Sequence, residues 1–419
     1  MMGFLPLIPF YAEQIGVIGD GPLRIWSGVI VAAAPLPAAL MGPIWGALGD
    51  RVGRKLMMLR ANAAIVLFVG SMGLVTSPWQ MLALRLGQGV FSGFIAPAMT
   101  LVSVSTPAER QGRTAAYLQT ALMAGGIVGP LMGGAVADVW GHRAVFFVCS
   151  ALSAVAMLLV SLFVVEPERG TSGAVAEPDS DPDSERDEPD ATPAPAARAV
   201  KAGSGVDGTG LLRAAIRDVA EFLRHPVLRI VLAGAFAVRF GASLVDPILA
   251  LWVETRTGFE MTHIATVTGF VFGAQAVATL LFTPVWGRLG DRLGNRKLLA
   301  ICAAGAGLAS LVQVMVDHVL VLTVLRFIGG AFVAGVVPAA FSAAAHNSPV
   351  ERRGAAQGVT FSVIVLARAT APLGGGVLAA AAGLGPLFIV SAVLMLFTAA
   401  AALRSSQKEP PRPAQSSPS

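Results

Sequence analysis

The sequence predicts an all-α membrane protein made of two pseudo-symmetric six-helix bundles, and three observations support this prediction. The 419 residues are 55% hydrophobic and only 13% charged, whereas soluble domains carry about 25% charged residues. Apolar stretches of roughly 20 residues recur, each long enough to cross a hydrocarbon core of about 30 Å as a helix. A charged loop also occurs twice, as GALGDRVGRK at 46–55 and as GRLGDRLGNRK at 287–297.

Twelve apolar segments are predicted as helices, six on each side of a long polar stretch. They cover 1–12, 27–49, 56–77, 79–104, 114–138, 143–165, 229–253, 262–287, 297–316, 319–345, 355–382 and 384–403. The resulting organisation is an N-terminal bundle at 1–165, a linker at 166–228, a C-terminal bundle at 229–403 and a polar tail at 404–419. Because the first segment is too short to span a bilayer, we expect the first helix to be truncated at its N-terminus.

The two halves share a register that similarity between generic apolar helices would not keep. An offset of 241 residues pairs Pro6 with Pro247, Glu13 with Glu254, Pro43 with Pro284, Trp45 with Trp286, Asp50 with Asp291, Arg85 with Arg326 and Pro97 with Pro338. Beyond about residue 105 the offset becomes 242, pairing Pro107, Glu109, Arg110 and Gly112 with Pro349, Glu351, Arg352 and Gly354. We therefore predict an internal duplication.

The basic residues of the short loops predict the orientation in the membrane, because loops rich in Lys and Arg stay in the cytoplasm. One side holds Arg51, Arg54, Lys55, Arg60, Arg110, Arg113, Arg288, Arg292, Arg296, Lys297, Arg352 and Arg353, and the other holds Arg24, Arg143 and Arg256. The repeated loop, the linker and both termini are thus expected in the cytoplasm. The basic residues form no patch interleaved with aromatic residues, so nucleic acid is not an expected partner.

The linker divides into two parts by composition. The acidic stretch EPDSDPDSERDEPD at 177–190 and the Ala/Pro-rich residues after it are expected to be disordered. In LLRAAIRDVAEFLRH at 211–225, Leu212, Ile216, Val219 and Leu223 form one apolar stripe. This segment is either an amphipathic helix on the inner membrane surface or a simple helical connector. The tail after Arg404 is expected to be loose.

Several motifs together resemble those of the major facilitator superfamily. The loop at 46–55 is similar to the signature between its second and third helices, and LRLGQGVFSG at 84–93 is similar to its fourth-helix signature. GGIVGPLMGG at 125–134 matches the fifth-helix pattern of drug:proton antiporters through Gly125, Gly129, Pro130, Gly133 and Gly134, although generic helix packing is an alternative reading. The opening FLPLIPFYAEQIGV looks like the bacterial multidrug-resistance branch.

The repeated loop is expected to gate the pathway. Its candidate residues are Gly46, Asp50, Arg51, Gly53, Arg54, Lys55, Glu109, Asp291 and Arg292. The resemblance places Asp50 near the start of the eleventh helix, where a carboxylate is stabilised by the helix dipole, and pseudo-symmetry places Asp291 near the start of the fifth. Arg54 is expected to bridge to Glu109, whereas the second loop has Asn295 instead of this arginine. A turn that only sets the topology is the alternative.

The charged residues inside predicted spans are expected to face a polar cavity or one another, because a charge facing lipid costs about 2.5–3.5 kcal/mol on insertion scales. They are Arg85, Arg239, Asp246, Arg326 and Arg368, and all of them except Arg326 are candidates for proton coupling. Arg85 matches the arginine that the resemblance connects with proton transfer. Asp246 is expected to carry the proton, with Arg239 or Arg368 as its partner, or else only to cap a kinked half-helix before Pro247.

A substrate pocket is expected among aromatic and soft side chains of the cavity helices, although simple packing is an alternative for each. The candidates are Phe91, Phe94, Tyr117, Met123, Phe240, Phe272 and Phe361. The resemblance implies an exporter of small lipophilic or amphipathic compounds across the bacterial inner membrane, driven by the proton gradient. We expect a monomer that is not an enzyme and uses no metal or other cofactor. The alternatives are an uptake symporter or facilitator and a non-transporting sensor or scaffold.

Overall fold

The structure is a computed structural model, and it describes residues 2–93, 98, 101, 106, 108–165, 226–257, 263–348 and 353–406. The predictions of a disordered acidic stretch, an amphipathic segment at 211–225 and a loose tail beyond residue 406 fall outside these residues. Within a few described helices some side chains are also left out, among them those of Asp50, Arg51, Glu109 and Asp291.

The described residues form helices throughout. After a 3-10 segment at Met2–Leu7, the first half contains α1 (Ile8–Gln14), α2 (Asp20–Ala33), α3 (Pro35–Val52), α4 (Arg54–Met72), α5 (Pro78–Phe91), α6 (Ala108–Trp140) and α7 (His142–Phe163). The second contains α8 (Pro226–Leu244), a 3-10 segment at Asp246–Ile248, α9 (Leu249–Thr257), α10 (Ile264–Leu293), α11 (Asn295–Gln313), α12 (Val319–Val333), α13 (Val336–His346), α14 (Arg353–Ala382) and α15 (Gly385–Ser406). Ten spans among them are long and apolar enough to cross a membrane, which confirms the predicted fold class.

Proline and glycine set matching features in the two halves. Pro6 and Pro247, which the 241-residue offset aligns, both lie in the 3-10 segments, because proline cannot donate the hydrogen bond of a regular α-helix. Gly53 and Gly294, also aligned, end α3 and α10 with φ angles of 121° and 82°. Such positive φ angles favour glycine, so both repeated loops turn by the same backbone device.

The aligned tryptophans make equivalent bonds as well. Trp45 Nε1 donates to the Val90 carbonyl oxygen, and Trp286 Nε1 donates to the carbonyl oxygen of Ala331, the residue equivalent to Val90. The indole thereby joins α3 to α5 in the first half, and the equivalent indole joins α10 to α12 in the second half at the same place. The predicted duplication is therefore visible at the level of single hydrogen bonds.

The two halves meet mainly through two helix pairs, α2 with α14 and α6 with α10. We call the end of the molecule that carries the two repeated loops the loop end, and the opposite end the far end. At the far end the halves pack closely, and Tyr11, Ile248 and Trp252 are at most 3% exposed. Toward the loop end, in contrast, Tyr117 on α6 and Phe361 on α14 are 60% and 58% exposed. The molecule is thus closed at the far end, whereas these two aromatic side chains toward the loop end are uncovered.

Candidate functional site

An aspartate from the first half holds the beginning of a helix in the second half. Asp138, near the end of α6, accepts hydrogen bonds from the backbone N–H groups of Ala265 (3.2 Å) and Thr266 (2.8 Å). These N–H groups belong to the first turn of α10, where no carbonyl within the helix can accept from them. The His263 side chain at the N-cap makes no capping bond. Asp138 therefore caps α10 from the other half of the molecule.

An arginine makes the corresponding contact on the opposite side of the far end. Arg24 on α2 donates from Nη1 to the Ala379 carbonyl oxygen, at 3.0 Å, near the end of α14. Its Nη2 bonds to Asp20 at 3.2 Å. The Ala379 carbonyl also accepts from the Gly383 N–H at 2.9 Å. The carbonyls at the end of a helix carry partial negative charge, so a cation is stabilised there. We call the Asp138 and Arg24 contacts together the far-end clasp.

The two contacts of the far-end clasp occupy equivalent places with the polarity reversed. The 241-residue offset aligns Arg24 with Ala265, and the 242-residue offset aligns Asp138 with Ala380, the neighbour of Ala379. In one place an acid meets backbone donors, and in the other a base meets a backbone acceptor. The two halves are therefore joined without a salt bridge between them at either point.

The glycines of the antiporter-type motif differ in what surrounds them. A Cβ at Gly134 would clash with the Ala265 carbonyl of α10, and a Cβ at Gly133 would clash with Gly3 of its own half. The Pro130 carbonyl oxygen similarly approaches Gly269 of α10. A Cβ at Gly125, in contrast, would meet nothing within 4 Å. The far-end part of the motif thus allows the two halves to touch.

Arg85 lies inside the first half, and its position is explained by a proline. It is 2% exposed, and it donates from Nε to the Ile30 carbonyl (2.9 Å), from Nη2 to the Val31 carbonyl (3.1 Å) and from Nη1 to Gln88 Oε1 (3.0 Å). Pro35 has no N–H group, so the carbonyl four residues earlier, that of Val31, loses its helical donor. Arg85 replaces this donor and ties α5 to α2.

Asp246 lies among three arginines in the second half. Its carboxylate is 3.7 Å from Arg326 Nη1, and its side chain is 33% exposed. Arg368 and Arg239 are also close enough to act on its charge. Arg326 Nη1 additionally donates to Gln275 Oε1 at 2.8 Å. The polar centre of the second half thus consists of one carboxylate and three guanidinium groups.

The structure brings together three of the four residues predicted for proton coupling. Arg239, Asp246 and Arg368 form one group, whereas Arg85 is bonded to backbone carbonyls in the other half. The nearest cation to Asp246 is Arg326, which we expected to be buried but did not assign to coupling. The sequence could have indicated this role of Arg326, because Arg326 aligns with Arg85, which is a candidate for proton coupling.

The predicted pocket residues are not in one place. Tyr117 and Phe361 are exposed, and Phe361 is seven residues, or about 10.5 Å of helix, before Arg368 on one face of α14. Phe240 stacks on Phe236 at 5.7 Å. Phe91 instead packs between Trp45 and Phe68, at 6.1 and 5.9 Å, inside its own half. Met123 and Phe272 are partly buried, and Phe94 is outside the described residues.

The gating residues are described only in part. Lys55 Nζ donates to the Ser161 carbonyl of α7 at 2.8 Å, so it joins the loop to its own half. Arg292 is exposed, and Arg54 has partners. The side chains of Asp50, Glu109 and Asp291 are not described, so the predicted latches stay predictions. Among the described residues, no three His, Cys, Asp or Glu side chains are grouped to hold a metal ion.

Comparison with known proteins decides the family. The model of the family described as Major Facilitator Superfamily matches residues 1–267 and, a second time, residues 231–419. The chain belongs to the Major Facilitator Superfamily. This membership confirms the resemblance drawn from the motifs, and it makes the protein a multi-pass membrane transporter and not an enzyme.

Two relatives carry the same printed name, multidrug resistance protein MdtG. The protein of Salmonella arizonae is 29% identical over 405 residues, which span 96% of this chain and 91% of the relative. The protein of Klebsiella pneumoniae is 30% identical over 396 residues, which span 94% of this chain and 87% of the relative. The similarity therefore extends over both halves of this superfamily member.

Solved structures share the fold. A bacterial homologue of the human lysosomal transporter Spinster, in an inward-facing and unoccupied conformation, has a TM-score of 0.69 at 17% identity, covering 97% of this chain and 95% of the other. The nucleoside transporter NupG has a TM-score of 0.67 at 12% identity, covering 97% of this chain and 98% of the other. At these identities the comparison establishes the fold of this superfamily member.

Proposed function

We propose that this superfamily member exports small lipophilic or amphipathic compounds across the bacterial inner membrane, driven by inward proton flow. The name of its relatives supports drug export. With twelve basic loop residues against three, the positive-inside rule favours a cytoplasmic loop end. The described conformer, closed at the far end, then accepts compounds from the cytoplasm. The proposed transporter acts as a monomer and needs no metal or cofactor beyond the gradient.

The observation that carries proton coupling is the placement of Asp246. It is an acid within a membrane span, because the 3-10 segment at Asp246–Ile248 lies between α8 and α9. Its side chain is partly exposed and is paired with Arg326. Such a residue is costly in lipid and typically marks a proton or substrate pathway. Rocking of the two halves changes its exposure, so that it binds a proton from one side and releases it to the other.

Everted membrane vesicles test this proposal. A lipophilic fluorescent dye is expected to accumulate in vesicles that contain the protein and are acidified inside, and to leave when an uncoupler collapses the gradient. Asp246→Asn is expected to abolish uphill transport while dye binding to the purified protein is retained. The control is Asp317→Asn, an exposed acid paired with Arg256 at 2.7 Å, which is expected to transport normally.

The possible outcomes separate the alternatives. Unchanged dye transport by Asp246→Asn would exclude this aspartate as the proton carrier. Accumulation of compounds in whole cells without efflux would favour uptake by symport or facilitation. Absence of flux for every compound tested, with the protein folded and in the membrane, would favour a sensor or scaffold.

A further inference from the structure

A small cavity with polar groups in its lining lies inside the second half. It has a volume of about 30 Å³ and is bounded by α8, α10, α11, α12 and α15. Its polar lining consists of Gln275, Ser310, Gln313, Arg326 and Ser391. By the same measure one water molecule needs roughly 10–15 Å³, so the cavity has room for a small ion or for a carboxylate group.

The guanidinium of Arg326 faces this cavity with unused donors. Its side chain is 6% exposed. Nη1 bonds to Gln275 and lies near Asp246, but Nε and Nη2 have no hydrogen-bond partner among the described residues. A buried charge without full hydrogen bonding is unfavourable, since the donors have given up their water. No described protein group satisfies these two donors, so they are free to bind a ligand.

Arg85, the equivalent arginine of the first half, does not have unbonded donors like Nε and Nη2 of Arg326. Arg85 uses Nε, Nη1 and Nη2, and two of its acceptors are backbone carbonyls at the break before Pro35. The residue aligned with Pro35 is Ala276, in the interior of the continuous helix α10. Since Ala276 keeps its N–H group, α10 frees no carbonyl there for Arg326.

The charged groups beside Arg326 have an excess of cations, although Arg326 is the one among them that lines the cavity. Arg239, Arg326 and Arg368 all interact electrostatically with Asp246. Arg239 Nε also lacks a hydrogen-bond partner in the described part of the chain. One carboxylate thus faces three guanidinium groups, and a further negative charge would balance part of the excess.

We propose that the second half binds a singly charged anion at Arg326 Nε and Nη2, at the wall of this cavity. Either a free halide or the carboxylate of a small acidic compound has the required charge and accepts hydrogen bonds from a guanidinium. The site adjoins the Asp246–Arg326 pair of the proposed export mechanism, but its test measures binding to the purified protein and does not depend on transport.

Thermal unfolding of the purified full-length protein tests the site. The melting temperature is measured in potassium chloride and in potassium gluconate at equal ionic strength, and separately with 4-phenylbutanoate against the neutral 4-phenylbutanol. A free halide is expected to raise Tm by at least about 2 °C relative to gluconate. An acidic compound as the natural occupant gives the same rise with phenylbutanoate over phenylbutanol, without a halide effect.

Arg326→Gln is expected to remove whichever difference the unmodified protein shows, whereas Arg85→Gln keeps it. If Arg326→Gln does not fold, Gly329→Val replaces it. A Cβ at Gly329 meets only ordinary contacts, with Ala309 and Gln313, so the larger side chain enters the cavity and excludes the anion while Arg326 remains. Equal Tm values in both salt and both compound pairs would overturn the proposal, as would an anion effect that persists unchanged in these variants.

Discussion

Replacing Asp138 should shift the molecule away from the conformer that is closed at the far end. The carboxylate accepts from two first-turn N–H groups of α10 at 3.2 and 2.8 Å, as an N-cap side chain does. Loss of such a cap costs about 0.5–2 kcal/mol, and loss of a charge at a helix N-terminus costs about 0.3–1 kcal/mol more. Asp138→Ala should therefore reduce the closed-to-open ratio at the far end roughly 5- to 150-fold.

A graded series distinguishes the hydrogen bonds from the charge. Asparagine caps helices about as well as aspartate, so Asp138→Asn loses mainly the charge–dipole interaction and should change the ratio only about 2- to 5-fold. The expected order of the far-end-closed fraction is unmodified protein, Asp138→Asn, Asp138→Ala. The control is Asp317→Asn, whose exposed partner Arg256 belongs to the same half.

Spin labels at the far end measure these populations. Ile18 and Met315 lie at the far end of the two halves and are 88% and 84% exposed. Cysteines are introduced at both positions in a variant without the buried Cys149 and Cys302, and each is spin-labelled. Pulsed electron paramagnetic resonance then measures the distance between the two halves. A distance distribution in Asp138→Ala that matches the unmodified protein would refute the clasp, and so would an equal shift in Asp317→Asn.

Two further predictions use pairs of equivalent residues. Gly134→Ala should destabilise the far-end-closed conformer by about 1–3 kcal/mol, because its Cβ meets the α10 backbone; the same spin labels check this, and Gly125→Ala, with free space, should not shift the distances. Arg85→Gln should lower thermal stability, since each buried carbonyl left without a donor costs about 1–3 kcal/mol; an unchanged melting temperature would contradict the bonding to Ile30 and Val31.

The fold was predictable because the residues that define it are rare and kept in register. Pro6 and Trp45 align with Pro247 and Trp286, and the structure uses each pair for the same purpose. Hydropathy gave the approximate spans but not their breaks: the second predicted helix, at 27–49, is two helices that begin at Asp20 and divide before Pro35. An average of hydropathy over a window does not detect that Pro35 lacks a backbone N–H donor.

The clasp was not predictable from the sequence in the same way. Asp138 and Arg24 lie at helix ends, where a charge ordinarily faces water. Asp138 is 127 residues from Ala265 along the chain, and neither charge has a charged equivalent in the other half. A search for repeated motifs detects only residues that are the same in both halves. The far-end clasp is made by residues that differ between them, because Asp138 is used at one contact and Arg24 at the other.

The use of helix ends as partners has a consequence for alternating access. A salt bridge between the halves would leave two desolvated charges to rehydrate on opening, whereas Asp138 leaves a carboxylate and a helix end that water can satisfy. The contact is worth about 1–3 kcal/mol by the reasoning above, and the predicted Asp50 latch at the loop end is of the same chemical kind. Two conformers held by opposing contacts of similar strength differ by little in free energy, so a proton or a bound compound can shift the balance between them.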